Sequence, residues 1–398
     1  MLGERHLIAL LTALQFIHIL DFVLMMPLGP SIMADQGLST GQFASLVSSY
    51  TFASGTVGVV GAFVLDRVAR RPVLLTACAG FTLSTLLIGL APNHGVLLAA
   101  RLLAGACGGL MGSLVMIIAS EAVPYERRGA AMGRIMTAFS LASVLGIPLG
   151  VGLASWGSWH TPFLVLAGVA ALGTAWAATV LPRFEEHRKT APQPWTATVA
   201  MLLGNPVHLR ILALVATLQL ASFTVIPFIS PFLVGNRGFT PANLATFYAI
   251  GGVATVITAP FIGRLADRWG KHRVFTGVIL LALVPILLIT HLPAWPVPWC
   301  FVVTTAFMIL VSGSMIPVQA LISGSIDPAR RGGVMSFVAA TQATCAGLAA
   351  QIAGHLVTRV DDGRIEGYDT VGLVAAGAVM VSLVLVRLVR VSPAEARP

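Results

Sequence analysis

The sequence predicts an all-α integral membrane protein whose twelve transmembrane helices form two pseudo-symmetric bundles of six. Three observations predict this fold. Of the 398 residues, 57% are hydrophobic and only 10% are charged, whereas soluble domains average about 25% charged residues. Apolar stretches repeatedly reach the ~20 residues with which a helix crosses a ~30 Å hydrocarbon core. Charged loop sequences of the first half also recur in the second half.

Twelve apolar stretches qualify as membrane spans and are numbered here in chain order. Spans 1 to 6 cover residues 7–28, 43–65, 73–90, 95–119, 130–154 and 162–181, and spans 7 to 12 cover residues 209–234, 244–265, 274–289, 299–322, 334–357 and 371–388. We expect an N-terminal bundle over residues 1–182, a polar cytoplasmic linker over residues 183–207, and a C-terminal bundle over residues 208–398. The first stretch is too long for the apolar part of a signal peptide and is predicted to be a helix.

The distribution of basic residues predicts the orientation of the chain. Most of the 24 Lys and Arg residues fall in loops on one face, and basic residues in short loops are retained on the cytoplasmic side. Both termini are therefore expected in the cytoplasm, with the chain spanning a bacterial inner (plasma) membrane many times. This topology, together with contact with anionic membrane lipid, accounts for the net charge of +9, so we predict no nucleic-acid partner.

The cysteines predict neither a metal site nor a disulfide framework. None of them has CxxC spacing or a nearby His partner, and all lie in or at the ends of predicted spans. They are Cys78, Cys107, Cys300 and Cys345.

Two loop sequences occur once in each half of the chain. The pattern Gly-x-x-x-x-Asp-Arg-x-x-Arg-Arg occupies residues 61–71, and a weaker copy occupies residues 263–273. Their aspartates, Asp66 and Asp267, are 201 residues apart. In the second pair of loops, Arg127 and Arg330 are 203 residues apart. These matching offsets indicate a duplicated six-helix unit, an arrangement in which transporters place a site at the interface of the repeats.

These motifs resemble those of the major facilitator superfamily, and specifically of its drug and sugar efflux branch of proton antiporters. Residues 101–109 are similar to a family motif in span 4, whose intramembrane Arg, here Arg101, is implied in proton coupling. Gly146, Pro148 and Gly150 resemble the antiporter motif of span 5, with the Pro one place later than in the commonest version. Span 1 resembles the opening of arabinose-efflux-like permeases. The resemblance implies the major facilitator fold and a monomer that moves a small molecule with a proton gradient and no other cofactor.

Asp21 is the candidate proton site, because it is the one carboxylate predicted deep within a span. An unpaired carboxylate in lipid is costly, so it protonates or finds a cation, and proton and substrate could then compete for one charge. His18 lies three residues earlier on the same helical face and could pass protons on. Arg101 could pair with a buried acid. The alternatives are a hydrogen bond between helices for Asp21, packing for His18 and snorkelling of Arg101 to the interface.

Polar and aromatic side chains within spans 1, 5, 7, 10 and 11 are candidates to bind substrate in a central cavity, although each could instead serve helix packing. They are Gln15, Asp21, Phe139, Gln219, Phe223, Gln319 and Gln342. In span 4, Gly105 with Gly109 and Gly108 with Gly112 form small-xxx-small pairs, for which we expect close packing against the Gly-rich span 5.

Charged residues at the predicted cytoplasmic ends of the spans are expected to form a latch that stabilises the outward-facing state. Asp66 could meet a helix N-terminus or pair with a nearby Arg, and Glu121 ends span 4 close by. Surface pairing worth about 0–1 kcal/mol is the alternative. The predicted latch residues are Gly61, Asp66, Arg67, Arg70, Arg71, Glu121, Arg134, Asp267 and Arg268.

Together these features predict a proton-coupled antiporter that exports a small amphipathic or sugar-like solute by alternating access. A proton symporter or an uncoupled uniporter of a small metabolite is the alternative within transport. A membrane-embedded enzyme or a sensor is the alternative outside it, but the sequence contains no HExxH motif and no nucleotide-binding P-loop, and its short tails and linker lead us to expect no signalling domain. We therefore expect no enzymatic activity.

Overall fold

Each predicted span coincides with one long helix or with two helices in series. The structure is a computed structural model that describes residues 3–64, 68–124, 127–181, 204–293, 295–326 and 331–389. A helix pairs every backbone donor and acceptor within itself, which is what a lipid-facing segment requires. The all-α membrane fold is confirmed, since eleven helical segments of the described chain are long and apolar enough to cross a membrane. Span 11 coincides with a 26-residue helix whose glutamines make it less apolar.

The described part of the first half contains eight α-helices. They are α1 (Glu4–Leu24), α2 (Gly29–Asp35), α3 (Thr40–Val64), α4 (Arg70–Gly89), α5 (His94–Ala122), α6 (Arg128–Leu141), α7 (Ile147–Trp156) and α8 (His160–Val180). Span 1 ends four residues earlier than predicted, because a turn leads from Leu24 to α2 in a segment that contains Pro27 and Pro30. Proline lacks the N–H that would continue a helix.

The described part of the second half contains seven α-helices and one two-stranded sheet. The helices are α9 (Pro206–Phe223), α10 (Ile226–Arg237), α11 (Pro241–Trp269), α12 (Lys271–Thr290), α13 (Val297–Gly324), α14 (Arg331–Leu356) and α15 (Tyr368–Leu388). The sequence did not predict the short antiparallel strands β1 (Thr358–Arg359) and β2 (Ile365–Glu366). The Asn236 side chain anchors β2 by accepting from Ile365 N and donating to Ile365 O.

Span 5 was predicted as one α-helix, but a π-helical turn, Ala142–Gly146, separates α6 from α7. The N–H of Ile147 bonds to the carbonyl of Ala142, one residue farther back than in an α-helix. Pro148 follows directly, and its ring cannot pack against the carbonyl four residues earlier, so the wider turn accommodates it.

The two halves repeat one packing pattern. In the first half, α1 packs against α6 and α8, while α4 packs against α5 and α8. The corresponding helices of the second half make the same pairs: α9 with α14 and α15, and α12 with α13 and α15. This correspondence agrees with the duplication inferred from the loop motifs.

The chain folds into two compact units that nearly coincide with its two halves. Unit 1 comprises Met1–Leu38 and Ser45–Pro192, and unit 2 comprises Ser39–Ala44 and Gln193–Pro398. The first turn of α3 is thus grouped with unit 2, where Thr40 Oγ1 donates to Val357 O at 2.6 Å. Most of the predicted linker 183–207 lies outside the described residues.

Candidate functional site

Asp21 and Arg101 form an ion pair that is wholly enclosed in unit 1. The Nη1 atom of Arg101 lies 2.9 Å from Oδ2 of Asp21, and both side chains are 0% exposed. Asp21 comes from the last turns of α1, and Arg101 from the second turn of α5. The structure therefore favours the predicted pairing with a buried acid over snorkelling of Arg101, because no part of the guanidinium reaches the surface.

Two further helices complete the surroundings of this pair. Thr85 of α4 donates its hydroxyl to Oδ1 of Asp21 at 3.3 Å. From α3, Leu46 O accepts from Nε of Arg101 at 3.3 Å, and the ring of Tyr50 lies under the guanidinium, 4.6 Å from centroid to Cζ. A cation held over an aromatic face gains stabilisation when it is desolvated. The pair thus joins α1 to α5, with a group of α4 bonded to Asp21 and groups of α3 in contact with Arg101.

The close approach of α3 to α5 depends on glycine. A Cβ at Gly105 would lie 2.2 Å from Tyr50 O, and a Cβ at Gly109 would lie 2.8 Å from the Cα of Ser54. The small-xxx-small stripe does make close helix contacts, but the predicted partner, span 5, was wrong. Gly105, Gly108 and Gly109 pack against α3, and Gly112 packs against α1. Gly105 thus meets Tyr50, and Gly109, four residues later, meets Ser54. This contact places the Tyr50 ring beside Arg101.

Gln15 and His18 lie on the same helix as Asp21 and present buried polar atoms without a hydrogen-bond partner in the described chain. These atoms are Oε1 of Gln15 and Nε2 of His18. A Cβ built on Gly112 of α5 would lie 3.1 Å from that Nε2 and 3.9 Å from that Oε1. The described contacts of His18 include no bond to Asp21; its carbonyl accepts from the Tyr50 hydroxyl at 3.3 Å. Buried polar groups ordinarily find partners, so these atoms are candidates for water or solute.

The other predicted cavity residues are distributed unevenly. In unit 2, Gln219 Nε2 donates to the carbonyl of Gln342 at 3.3 Å, which joins α9 to α14. Phe223 is half-buried on α9, whereas Gln319 is exposed on α13. Phe139 of α6 is 51% exposed and takes no part in the Asp21 cluster.

Among the predicted latch residues, Arg70 and Glu121 form an ion pair, with Arg70 Nη2 3.1 Å from Glu121 Oε1. Arg71 instead donates to the carbonyl of Ala178 in α8. Asp267 and Arg268 are exposed at the end of α11 and contact no described partner. Asp66 and Arg67 lie outside the described residues. Gly61 is buried in α3, and Arg134 is exposed in α6.

The antiporter-like residues of span 5 pack against α1. Added Cβ atoms at Gly146 and Gly150 would lie 2.6 Å and 2.3 Å from methyl groups of Leu20 and Leu24. Leu20 immediately precedes Asp21 in α1. The small residues around Pro148 therefore let the π-helical turn approach the helix that carries the proposed proton site.

Sequence reasoning missed Thr85, Tyr50 and the carbonyl of Leu46 as parts of the site. Thr85 and Tyr50 are ordinary residues of apolar helices, so no local pattern marks them. The glycines of α5 carried the one available signal, because they showed that a neighbouring helix comes close, although not which one.

The charge balance of the site limits its chemistry. Asp21 and Arg101 cancel each other, and the described residues contain no group of three or more His, Cys, Asp or Glu side chains able to hold a metal ion. Protonation of Asp21 would remove the charge that Arg101 neutralises, and the guanidinium would then need another acceptor. Its Nη2 atom is already buried without a described partner.

Comparison with known proteins identifies the family. The sequence matches the model described as Major Facilitator Superfamily over residues 11–350 and again over residues 211–398. The chain therefore belongs to the major facilitator superfamily and is a multi-pass membrane transporter, not an enzyme. Its fold resembles that of a bacterial homolog to the human lysosomal transporter Spinster, with a TM-score of 0.75, 15% identity and coverage of 98% of this chain and 100% of that one.

Two curated relatives illustrate the range of related proteins. The chain is 24% identical over 363 residues to the uncharacterized MFS-type transporter YceJ of Bacillus subtilis, and the aligned region covers 90% of this chain and 91% of that protein. It is 28% identical over 281 residues to the chloramphenicol efflux pump MT0201 of Mycobacterium tuberculosis, and the aligned region covers 68% of this chain and 65% of that protein.

Proposed function

We propose that this transporter is a proton-coupled antiporter that exports a small, uncharged amphipathic solute, with Asp21 as the proton site. The buried pair of Asp21 with Arg101 carries this proposal. A proton on Asp21 would leave the Arg101 charge without its counterion, so proton binding and the arrangement of the polar site are linked. A solute hydroxyl or amide that donates to the Asp21 carboxylate would favour its ionised form, so solute binding would displace the proton, as antiport requires.

The same charge balance argues for an uncharged solute. With Asp21 ionised the pair has no net charge, and with Asp21 protonated it is positive. In neither state does the pair attract a cation. The polar atoms of Gln15 and His18 would supply hydrogen bonds to such a solute within a largely apolar lining, and Gln219 and Gln342 are the candidates in unit 2. Chloramphenicol is an uncharged amphipathic molecule, and the relative MT0201 bears the name of a chloramphenicol efflux pump.

The cellular setting belongs to the same proposal. The chain functions as a monomer in the inner membrane of a bacterium, surrounded by lipid and with both termini in the cytoplasm. The basic loops support this orientation. Alternating access moves the solute outward as protons enter, and Arg70 with Glu121 belongs to the latch that stabilises one of the two states.

Proton release tests the proposed function. Purified protein in weakly buffered detergent is mixed with chloramphenicol, with a sugar or with tetraphenylphosphonium, and the pH change is recorded for wild type and Asp21→Asn. We expect release on addition of the uncharged solute in wild type and none in Asp21→Asn, while Asp35→Asn serves as a carboxylate control and releases as wild type does. Solute binding without release in wild type would contradict proton coupling and indicate an uncoupled uniporter.

Vesicles with an imposed pH gradient then distinguish antiport from symport. An inward proton gradient drives export of the solute in an antiporter and uptake in a symporter.

A further inference from the structure

A basic cavity lies at the N-terminal ends of α1 and α6, away from the Asp21 cluster. It has a volume of about 510 Å³ and is lined by residues of both helices. Arg5 of α1 and Arg134 of α6 line it together with Arg127, the residue that immediately precedes α6. Asp21 lies about 25 Å farther along α1, at ~1.5 Å per residue. The cavity and the proposed proton site are therefore separate places on the same helix.

The charge of the cavity is strongly unbalanced. Glu4 is the one carboxylate among its described lining residues, and its Oε2 lies 2.9 Å from Nη2 of Arg127. The guanidinium groups of Arg5 and Arg134 have no carboxylate of their own among the described residues. Among the described lining residues, three cations against one anion give a net charge of about +2 when His6 is neutral.

Two helix N-termini open at this cavity and add to its positive potential. The residues that precede the helices, Gly3 before α1 and Arg127 before α6, provide no side-chain cap. The first-turn N–H groups of a helix have no partner within the helix, and the helix dipole favours an anion there. Helix N-termini without a side-chain cap from their described N-cap residues, lying beside guanidinium groups, are a usual setting for binding phosphate oxygens.

The lining of the cavity also includes apolar residues. Ile8 and Ala131 are buried, at 6% and 3% exposure, and Ala130 lies beside them. A free phosphate ion would gain nothing from these apolar residues. A molecule with a phosphate at one end and hydrocarbon at the other would match both the basic and the apolar residues of the lining.

We propose that this cavity binds the phosphodiester head group of an anionic phospholipid. Arg5 and Arg134 hold the phosphate oxygens with charge-assisted hydrogen bonds, and the glycerol and upper acyl carbons lie along Ile8, Ala130 and Ala131. The proposal does not depend on antiport, because it uses none of the residues assigned to the solute or the proton.

The test is native mass spectrometry of the full-length protein released from detergent micelles doped with phosphatidylglycerol or with phosphatidylcholine. The variant is Arg5→Gln with Arg134→Gln. Its matched control is Arg264→Gln with Arg387→Gln, which removes two exposed arginines of the second half. We expect wild type and control to retain phosphatidylglycerol in preference to phosphatidylcholine, and the variant to lose at least nine tenths of that occupancy.

Three outcomes would overturn the proposal. Equal occupancy in the variant would show that the lipid binds elsewhere, and equal loss in the control would show that only total charge matters. Competition by millimolar glycerol 3-phosphate as effective as that by the intact lipid would identify a site for free phosphate esters. If the double variant does not fold, Arg5→Gln and Arg134→Gln are measured singly, and each is expected to lower occupancy about threefold.

Discussion

Arg71 and His272 occupy equivalent positions in the two halves, 201 residues apart, and each bonds to a backbone carbonyl in, or directly after, the last turn of the last helix of its own half. The Nη2 atom of Arg71 donates to Ala178 O at 2.8 Å, and Nε2 of His272 lies 2.7 Å from Val389 O. The C-terminal carbonyls of a helix lack partners within the helix, and a basic side chain there satisfies them. The repeated loop therefore fastens the sixth helix of each half to the third.

This equivalence predicts equal effects of two distant substitutions. Arg71→Ala and His272→Ala should each lower the free energy of unfolding by about 1 kcal/mol, because each removes one hydrogen bond to a helix end. Thermal unfolding in detergent measures this change. Arg268→Ala is the control, since Arg268 is exposed and contacts no described partner, and its melting temperature should match wild type. Destabilisation by only one of the two substitutions would contradict the shared role.

The ion pair of Asp21 with Arg101 predicts that stability and coupling can be separated. Asp21→Asn should destabilise the protein by about 3–5 kcal/mol, because it leaves a buried guanidinium without its counterion. The double variant Asp21→Asn with Arg101→Met should regain most of this stability, since both charges are then absent. It should nevertheless show no solute-induced proton release. A double variant that unfolds as early as Asp21→Asn would show that the pair itself, and not charge balance, holds the helices.

Arg101→Lys tests the geometry of the same site. Lysine keeps the charge but has one donor nitrogen, which cannot reach both the carboxylate of Asp21 and the carbonyl of Leu46. We expect a loss of about 1–3 kcal/mol in unfolding free energy and a lower initial rate of solute export. Wild-type values for both measurements would mean that charge alone is required.

The contact of α3 with α5 predicts a strong position effect among glycines. Gly105→Ala places a Cβ against the backbone of Tyr50, so the helices must separate, at a cost of about 1–3 kcal/mol. Gly152→Ala is the matched control, because a Cβ there meets nothing within 4 Å. Unfolding in detergent and solute export should both be impaired in the first variant and unchanged in the second. Equal behaviour of the two would show that α3 adapts without loss.

A carboxylate outside the membrane spans predicts a pH effect on stability. Asp35 accepts from Trp159 Nε1 at 2.9 Å, and this hydrogen bond, followed by one from Gln36, lowers the pKa of Asp35 below its usual value. A lowered folded-state pKa contributes stability above the unfolded pKa of about 4, and that contribution is lost as the pH falls through the lowered value.

Melting temperatures of wild type and Asp35→Asn between pH 3 and pH 7 measure this contribution. Wild type should be the more stable at pH 7, and the difference should shrink as the pH falls below about 4. Trp159→Phe removes the hydrogen-bond donor. In that background, the difference in melting temperature between Asp35 and Asp35→Asn should be smaller at pH 7 than it is in wild type. A difference that is constant across the range would rule out titration of Asp35 as its cause.

The fold could be predicted because the features that define it can each be recognised in a short stretch of sequence. Span length and apolar composition predict each helix, and the basic loops predict the orientation of the chain. The repeated motifs indicate that the second half duplicates the first. The exceptions involve proline or short strands: Pro148 widens one turn of span 5, and the hairpin after α14 is too short to show a period of two. Its two strands have only two residues each, so no alternation could be read.

Only the charged residues of the site could be predicted, because a charge within the membrane requires a partner. Asp21 and Arg101 stood out because charged residues are expensive in a membrane, and the structure brings them together. The residues that surround them are uncharged, so their selection depends on which helix faces which. That information lies in the crossing of α3 over α5, which the glycine pattern indicated without naming the partner. The exposed positions of Phe139 and Gln319 likewise depend on helix rotation, which span boundaries alone do not define.

The order of synthesis gives the buried pair a further consequence. Asp21 leaves the ribosome 80 residues before Arg101, which at ~5–20 residues per second is a delay of roughly 4–16 s. During that interval the first helix carries an acid for which no cation has yet been made, and the acid must remain near water or hold a proton. The earliest assembly in which Asp21 has all its partners therefore contains four spans. A nascent chain cut short before residue 101 should be recovered from the membrane less efficiently than one that extends a few turns beyond it.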